Sequence, residues 1–89
     1  MVIKTIIKKT TGSVSAVSFD TGESFLNKTS AYDTFLQVID GEAQIEINGV
    51  FQTLKTGESI IIPANTLNSI TAKVRFKMLS TIIKSALDD

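Results

Sequence analysis

No cysteine, histidine or tryptophan occurs in the 89 residues, and proline and tyrosine appear once each, as Pro63 and Tyr32. Without cysteine there is no disulfide framework, thiolate nucleophile, iron–sulfur cluster or zinc–thiolate site. Without histidine the commonest transition-metal ligand and the usual neutral-pH base are both missing, so acid–base chemistry would fall to a carboxylate, Lys28 or Tyr32. Net charge is also absent: nine basic residues balance nine acidic ones, and no basic run exceeds Lys8-Lys9. That is a poor footprint for nucleic acid or an anionic membrane. No apolar stretch approaches the roughly 20 residues that span a bilayer, and residues 1–9 lack the apolar centre of an export signal. The expected location is the cytoplasm, and the sequon Asn27-Lys28-Thr29 is read as chance.

What is present suits a packed core. The apolar fraction is 43%, carried by Ile, Val, Leu and Phe. A chain this short has room for one domain, expected over residues 1–89 with 83–89 as a fraying tail, and buries only roughly 60–65% of its unfolded surface. Short β-branched runs alternate with turn signals: Val2–Lys9, Val14–Phe19, Thr34–Ile39, Ala43–Asn48, Val50–Leu54, Ser59–Ile62, Ser69–Ala72 and Arg75–Ile83. This spacing predicts an all-β antiparallel sandwich or barrel of about nine strands. Asn48-Gly49 is the sharpest hairpin signal, because a type I′ turn needs positive φ at both central residues. Ala43, Ile45 and Ile47 alternate with Gln44, Glu46 and Asn48, the period of a strand buried on one side.

Two stretches flank that hairpin. Thr34 precedes Gly41 with six residues between, and Gly57 precedes Pro63-Ala64-Asn65 with five between; Asn68 follows after two more. With Phe35–Ala43, Leu54–Glu58 and Arg75–Leu79, these stretches resemble the two motifs of the cupin superfamily, in particular small single-domain bacterial cupins. The resemblance runs from Val2 to Lys84 and implies a jelly-roll β-barrel, an antiparallel double-stranded β-helix.

Metal-dependent cupins place two histidines, a glutamate and a third histidine inside the barrel. In this sequence those positions carry Lys28, Ser30, Thr34 and Asn68. A protonated ammonium has no lone pair, hydroxyls are weak neutral donors, and an amide offers only a carbonyl oxygen. The resemblance thus implies a barrel without a transition metal, and no cofactor is expected. A hard cation would have to draw on Asp33, Asp40 and water, although Asp40-Gly41 reads more simply as a turn.

A pocket can outlast its metal. On a regular strand Lys28, Ser30, Thr34, Leu36 and Val38 share parity and point inward, with Ile45, Ile47 and Asn68 nearby. Candidate ligand contacts are Lys28, Ser30, Tyr32, Thr34, Leu36 and Asn68. Lys28 reads either as a group that attracts an anion or as a solvated tip, Asn68 as a ligand contact or a turn amide, and Tyr32-Asp33 as a gate or a turn. Phe35, Ile39, Phe51, Ile61 and Phe76 lie on opposite faces, more apolar surface than one small barrel buries. A homodimer is expected, with Val2–Lys9 as the strand that crosses to a partner, as the resemblance also implies.

The leading functional expectation is a non-catalytic, metal-free module that binds a small polar or sugar-like ligand. The alternatives are a dimeric interaction protein with a filled barrel and, against the missing histidine, a metal-independent isomerase or epimerase using Tyr32 and Lys28.

Overall fold

Asn48 and Gly49 adopt φ of 49° and 81°, so the expected two-residue hairpin forms, with Ile47 opposite Val50. The computed structural model describes residues 1–84; Ser85–Asp89, most of the expected fraying tail, lies outside the described residues. Nine strands are present among those described: β1 (Val2–Lys9), β2 (Gly12–Phe19), β3 (Ser24–Lys28), β4 (Asp33–Asp40), β5 (Glu42–Ile47), β6 (Val50–Lys55), β7 (Ser59–Ile62), β8 (Asn68–Thr71) and β9 (Phe76–Ile83). They form a five-stranded sheet of order β1-β2-β9-β4-β7 and a four-stranded sheet of order β3-β8-β5-β6. All pairings are antiparallel, and the two sheets face each other as a jelly-roll barrel.

Alternation places the core. Along β4, Thr34, Leu36 and Val38 are buried while their neighbours are not, and β5 buries Ala43 and Ile45 in the same way. Leu36 and Ile45 meet Ile70 in the middle of the barrel, all within 1% of complete burial. At the closed end Phe19 and Phe76 are cross-strand partners whose rings stack 4.6 Å apart, 12° from parallel. Phe76 therefore does not belong with the outward apolar residues, as the sequence suggested: it is 1% exposed. Gly41 turns the chain between β4 and β5 at φ 95°, and a Cβ there would lie 2.5 Å from the Arg75 carbonyl oxygen, so the turn needs glycine twice over.

The expectation of one regular strand from position 28 to 38 is corrected by the structure. Residues 29–32 form a loop, so Lys28 belongs to β3 in one sheet and Thr34 to β4 in the other. β1 pairs with β2 of its own chain, yet all eight of its residues are exposed, because it lies at the free end of the five-stranded sheet.

Candidate functional site at the mouth of the barrel

Lys28 reaches the interior through an irregularity. Phe25 pairs with Ile70 and Lys28 with Asn68, three residues along β3 against two along β8. The extra residue is accommodated at Asn27, whose φ is 52° and whose N–H donates to the Ser69 hydroxyl at 2.8 Å. A bulge of this kind re-aims the side chain that follows it. It puts Lys28 on the same face as Phe25, where plain alternation would oppose them.

Two rows then face each other at the mouth. Lys28, Asn68 and Ile47 are successive cross-strand partners in one sheet; Ile62, Thr34 and Ile82 are the matching row in the other. Between them lies a cavity of about 90 Å³ whose polar lining is Lys28, Thr29, Ser30, Thr34, Asn68 and Ser80, with Ile62 and Ile82 as apolar walls. The structure thus brings together four of the six residues read from the sequence, and leaves two outside the lining. Leu36 is one layer deeper and fully buried in the core. Tyr32 is 43% exposed, with the Lys84 ammonium 5.1 Å from its ring centroid. Ser80 and Ile82 are additions that the sequence did not offer: they share the inward parity of Phe76 and Met78, but β9 carries apolar residues at both parities and so hides its inner face.

The rim is built by hydrogen bonds between two loops. The Ala64 N–H donates to Asp33 Oδ1 at 2.8 Å, and the Asn65 N–H donates to the Ser30 carbonyl at 2.6 Å. Asn65 holds φ of 59°, a left-handed conformation that asparagine tolerates. The Tyr32 N–H donates to the Ser30 hydroxyl at 3.1 Å, so residues 30–33 are a turn that braces the Pro63-Ala64-Asn65 loop. Asp33 and Asp40 end opposite extremes of an eight-residue strand, on the order of 20 Å apart, so the two cannot share a cation.

Among the described residues Lys28 makes no ion pair, and burial pushes its ammonium below the ordinary lysine range. The Phe25 ring, 4.8 Å from the nitrogen, offsets that cost by roughly 0.5–1 kcal/mol. Asn68, 4% exposed, donates from Nδ2 to the Lys28 carbonyl at 3.1 Å and the Thr66 carbonyl at 3.2 Å. Flipping the amide would set its oxygen against two carbonyls, so this orientation is fixed. Its Oδ1 is buried without a hydrogen-bond partner.

These groups do not fit a transition metal. One ammonium, hydroxyls and an amide replace the imidazoles and carboxylate, and among the described residues no three His, Cys, Asp or Glu side chains converge. What they offer is a cation beside hydroxyls and an amide. Larger cavities, of about 250 and 180 Å³, lie beside Phe51 on the outer face of the four-stranded sheet and beside Met1 and Asp20. Neither contains a buried polar group lacking a partner.

Because the Lys28 ammonium is disfavoured in the folded chain, the unfolded chain binds that proton more tightly. Stability is therefore reduced at neutral pH and rises as pH climbs from the folded pKa to the ordinary lysine value. Lys28→Met is expected to raise Tm at neutral pH by a few degrees, about 1 kcal/mol or less after allowing for partial exposure. The difference between wild-type and variant melting curves should shrink above pH ~10. A difference that is absent at every pH would mean the ammonium is fully solvated.

No protein-family profile matches the sequence, and no curated protein does. Solved structures do. A cupin superfamily protein from Desulfitobacterium hafniense superposes with a TM-score of 0.90 at 26% identity, over 94% of this chain and 77% of that one. A cupin 2 conserved barrel domain protein from Leptotrichia buccalis gives 0.89 at 31% identity over 93% of this chain, which spans 40% of that protein. A conserved protein of unknown function from Streptococcus pyogenes gives 0.88 at 23% identity, over 94% and 74% of the two chains. The strand order, the barrel and these likenesses make the chain, by fold, a small cupin.

Proposed function

We propose that this cupin is a non-catalytic binding module that holds a small polar ligand at the barrel mouth without a metal, in the cytoplasm of a bacterium. The observation that carries the reading is the part-buried Lys28, unpaired with any carboxylate of the described residues, at one small cavity whose other polar lining is hydroxyls and an amide. A part-buried ammonium without a counter-charge favours a small visitor that carries an anionic or strongly accepting group. The isomerase alternative loses support, because Tyr32 does not line the cavity with Lys28.

The test is thermal shift against divalent metals, EDTA, small acids and sugars, with metal content assayed on untreated protein. The expected result is no response to metal or chelator and a stabilisation of about 3 kcal/mol by one ligand class at a hundredfold excess over its Kd. Stoichiometric metal, or the absence of any ligand response, would overturn the reading.

One observation favours a second role. Ile61, Phe35, Thr81, Val14 and Ile7 form a single cross-strand row over the outer face of the five-stranded sheet. Ile61 and Ile7 are 58% and 49% exposed, and the exposed Val2, opposite Ser18, lies on the same face of β1. We propose that this face pairs with a second copy of the chain. The filled core below the mouth is compatible with a module for which pairing is the main purpose, and the mouth cavity is what separates the two readings.

A further inference from the structure

The mouth cavity discriminates by charge and by size. Lys28 is the one charged group in its lining; the rest is hydroxyls, an amide and the Ile62 and Ile82 side chains. The acid at the rim, Asp33, is committed elsewhere: its Oδ1 accepts the Ala64 N–H at 2.8 Å, and it does not line the cavity. A second ammonium, that of Lys84 over the Tyr32 ring, adds positive charge at the same end of the barrel. Burial disfavours the Lys28 ammonium, and an anion beside it would offset that cost. Donors for such an anion are at hand. The Ser30 hydroxyl accepts the Tyr32 N–H and keeps its own O–H to give, and Thr34 and Ser80 bring hydroxyls into the lining from the five-stranded sheet. Asn68 adds shape only, because its amide donors are spent on two backbone carbonyls and its Oδ1 is buried out of reach.

Size and polarity narrow the anion. A volume of about 90 Å³ is that of roughly three water molecules, room for a carboxylate with one or two further carbons and far short of a sugar ring. Ile62 and Ile82 are the cross-strand neighbours of Thr34 on either side, so apolar walls flank the centre of the row. An inorganic anion would gain nothing from those walls, and a second carboxylate would lie against them without a cation of its own. We propose that the barrel mouth binds a short-chain monocarboxylate the size of acetate or propionate, its carboxylate against the Lys28 ammonium and its carbons between Ile62 and Ile82. This rests on the binding reading above and narrows it from small polar ligands to one class.

The test follows the amide NMR signals of residues 28–34, 62 and 80–82 in isotopically labelled protein, titrated at constant ionic strength. Acetate and propionate match the site, acetamide lacks the charge, nitrate lacks the carbons, and hexanoate exceeds the volume. The first two are expected to bind weakly, with Kd on the order of millimolar, as ligands of so few atoms do. Each should still bind at least about tenfold tighter than the other three. Lys28→Gln, checked for an unchanged spectrum elsewhere, should weaken acetate about tenfold or more and leave acetamide as it was. Acetamide binding as tightly as acetate, or acetate indifferent to Lys28→Gln, would overturn the proposal while leaving a polar binding module standing. Nitrate or hexanoate matching propionate would also sink it, by showing that the isoleucine walls select neither polarity nor length. No shift at the mouth with any probe removes the proposal, and the binding reading falls with it if the thermal-shift panel is silent as well.

Discussion

Phe76→Ala is expected to cost about 3–5 kcal/mol of folding stability. The ring is 1% exposed, stacks on Phe19 at 4.6 Å, and shares its layer with Val17 and Met78 at the closed end of the barrel. Truncation removes the transfer free energy of the ring and leaves a cavity that β2 and β9, locked together along their length, cannot collapse to fill. It also strands Phe19, whose stacking contributes roughly another 0.5–1.5 kcal/mol beyond its buried area. Domains of this size are stable by only about 5–15 kcal/mol, so the variant should melt at least roughly 10 °C lower and unfold at much lower urea. Urea titration followed by circular dichroism measures it, with Phe76→Leu as the comparison, expected to lose less because it keeps most of the apolar volume. A loss below about 1 kcal/mol for the alanine variant would mean that the aromatic pair does not close the barrel.

The same residue shows where sequence reading stops. β9 runs Phe-Lys-Met-Leu-Ser-Thr-Ile-Ile, with apolar residues at both parities, so period-two alternation does not choose its inner face. Only its pairing with β2 and β4 does, through Phe76 opposite Phe19 and Ser80 opposite Leu36. Where alternation is clean it sufficed. β4 and β5 bury the residues expected of them, Asn48-Gly49 makes the expected hairpin, and Asp40-Gly41 makes the expected turn.

The site was half legible for a related reason. Lys28, Ser30, Thr34 and Asn68 do gather at one cavity, but the argument from a single regular strand placed Lys28 inward by the wrong route. β3, Ser-Phe-Leu-Asn-Lys, has no β-branched residue to announce a strand, and its bulge at Asn27 has no signal beyond the tolerance of asparagine for positive φ. Two departures from the expected pattern, a loop over 29–32 and an extra residue in β3, cancel in their effect on Lys28. Tyr32, which the same parity placed beside the mouth, is carried out of the cavity by that loop.

The apolar row over the outer face of the five-stranded sheet bears on assembly, and Phe35→Glu is the substitution that tests it. Phe35 sits between Ile61 and Thr81, near the centre of the row, and its side chain points away from the core. In an isologous pair related by a twofold axis each substitution appears twice, so two uncompensated carboxylates enter one interface. Removing the partner of a buried charge typically costs about 3–5 kcal/mol, and a charge introduced without any partner costs a comparable amount. Even one such cost raises the dimer Kd by roughly a thousandfold, enough to take a micromolar dimer to monomer at ordinary working concentrations. Sedimentation velocity on wild type and variant reads the result, with circular dichroism showing that the monomer keeps its strands. Phe51→Glu is the control: Phe51 is 74% exposed but lies on the four-stranded sheet, and its replacement should leave the dimer intact. If Phe51→Glu dissociates the protein and Phe35→Glu does not, the other sheet is the interface. A wild type that sediments as a monomer at tens of micromolar would show that the exposed row and the doubly exposed β1 serve something other than self-pairing.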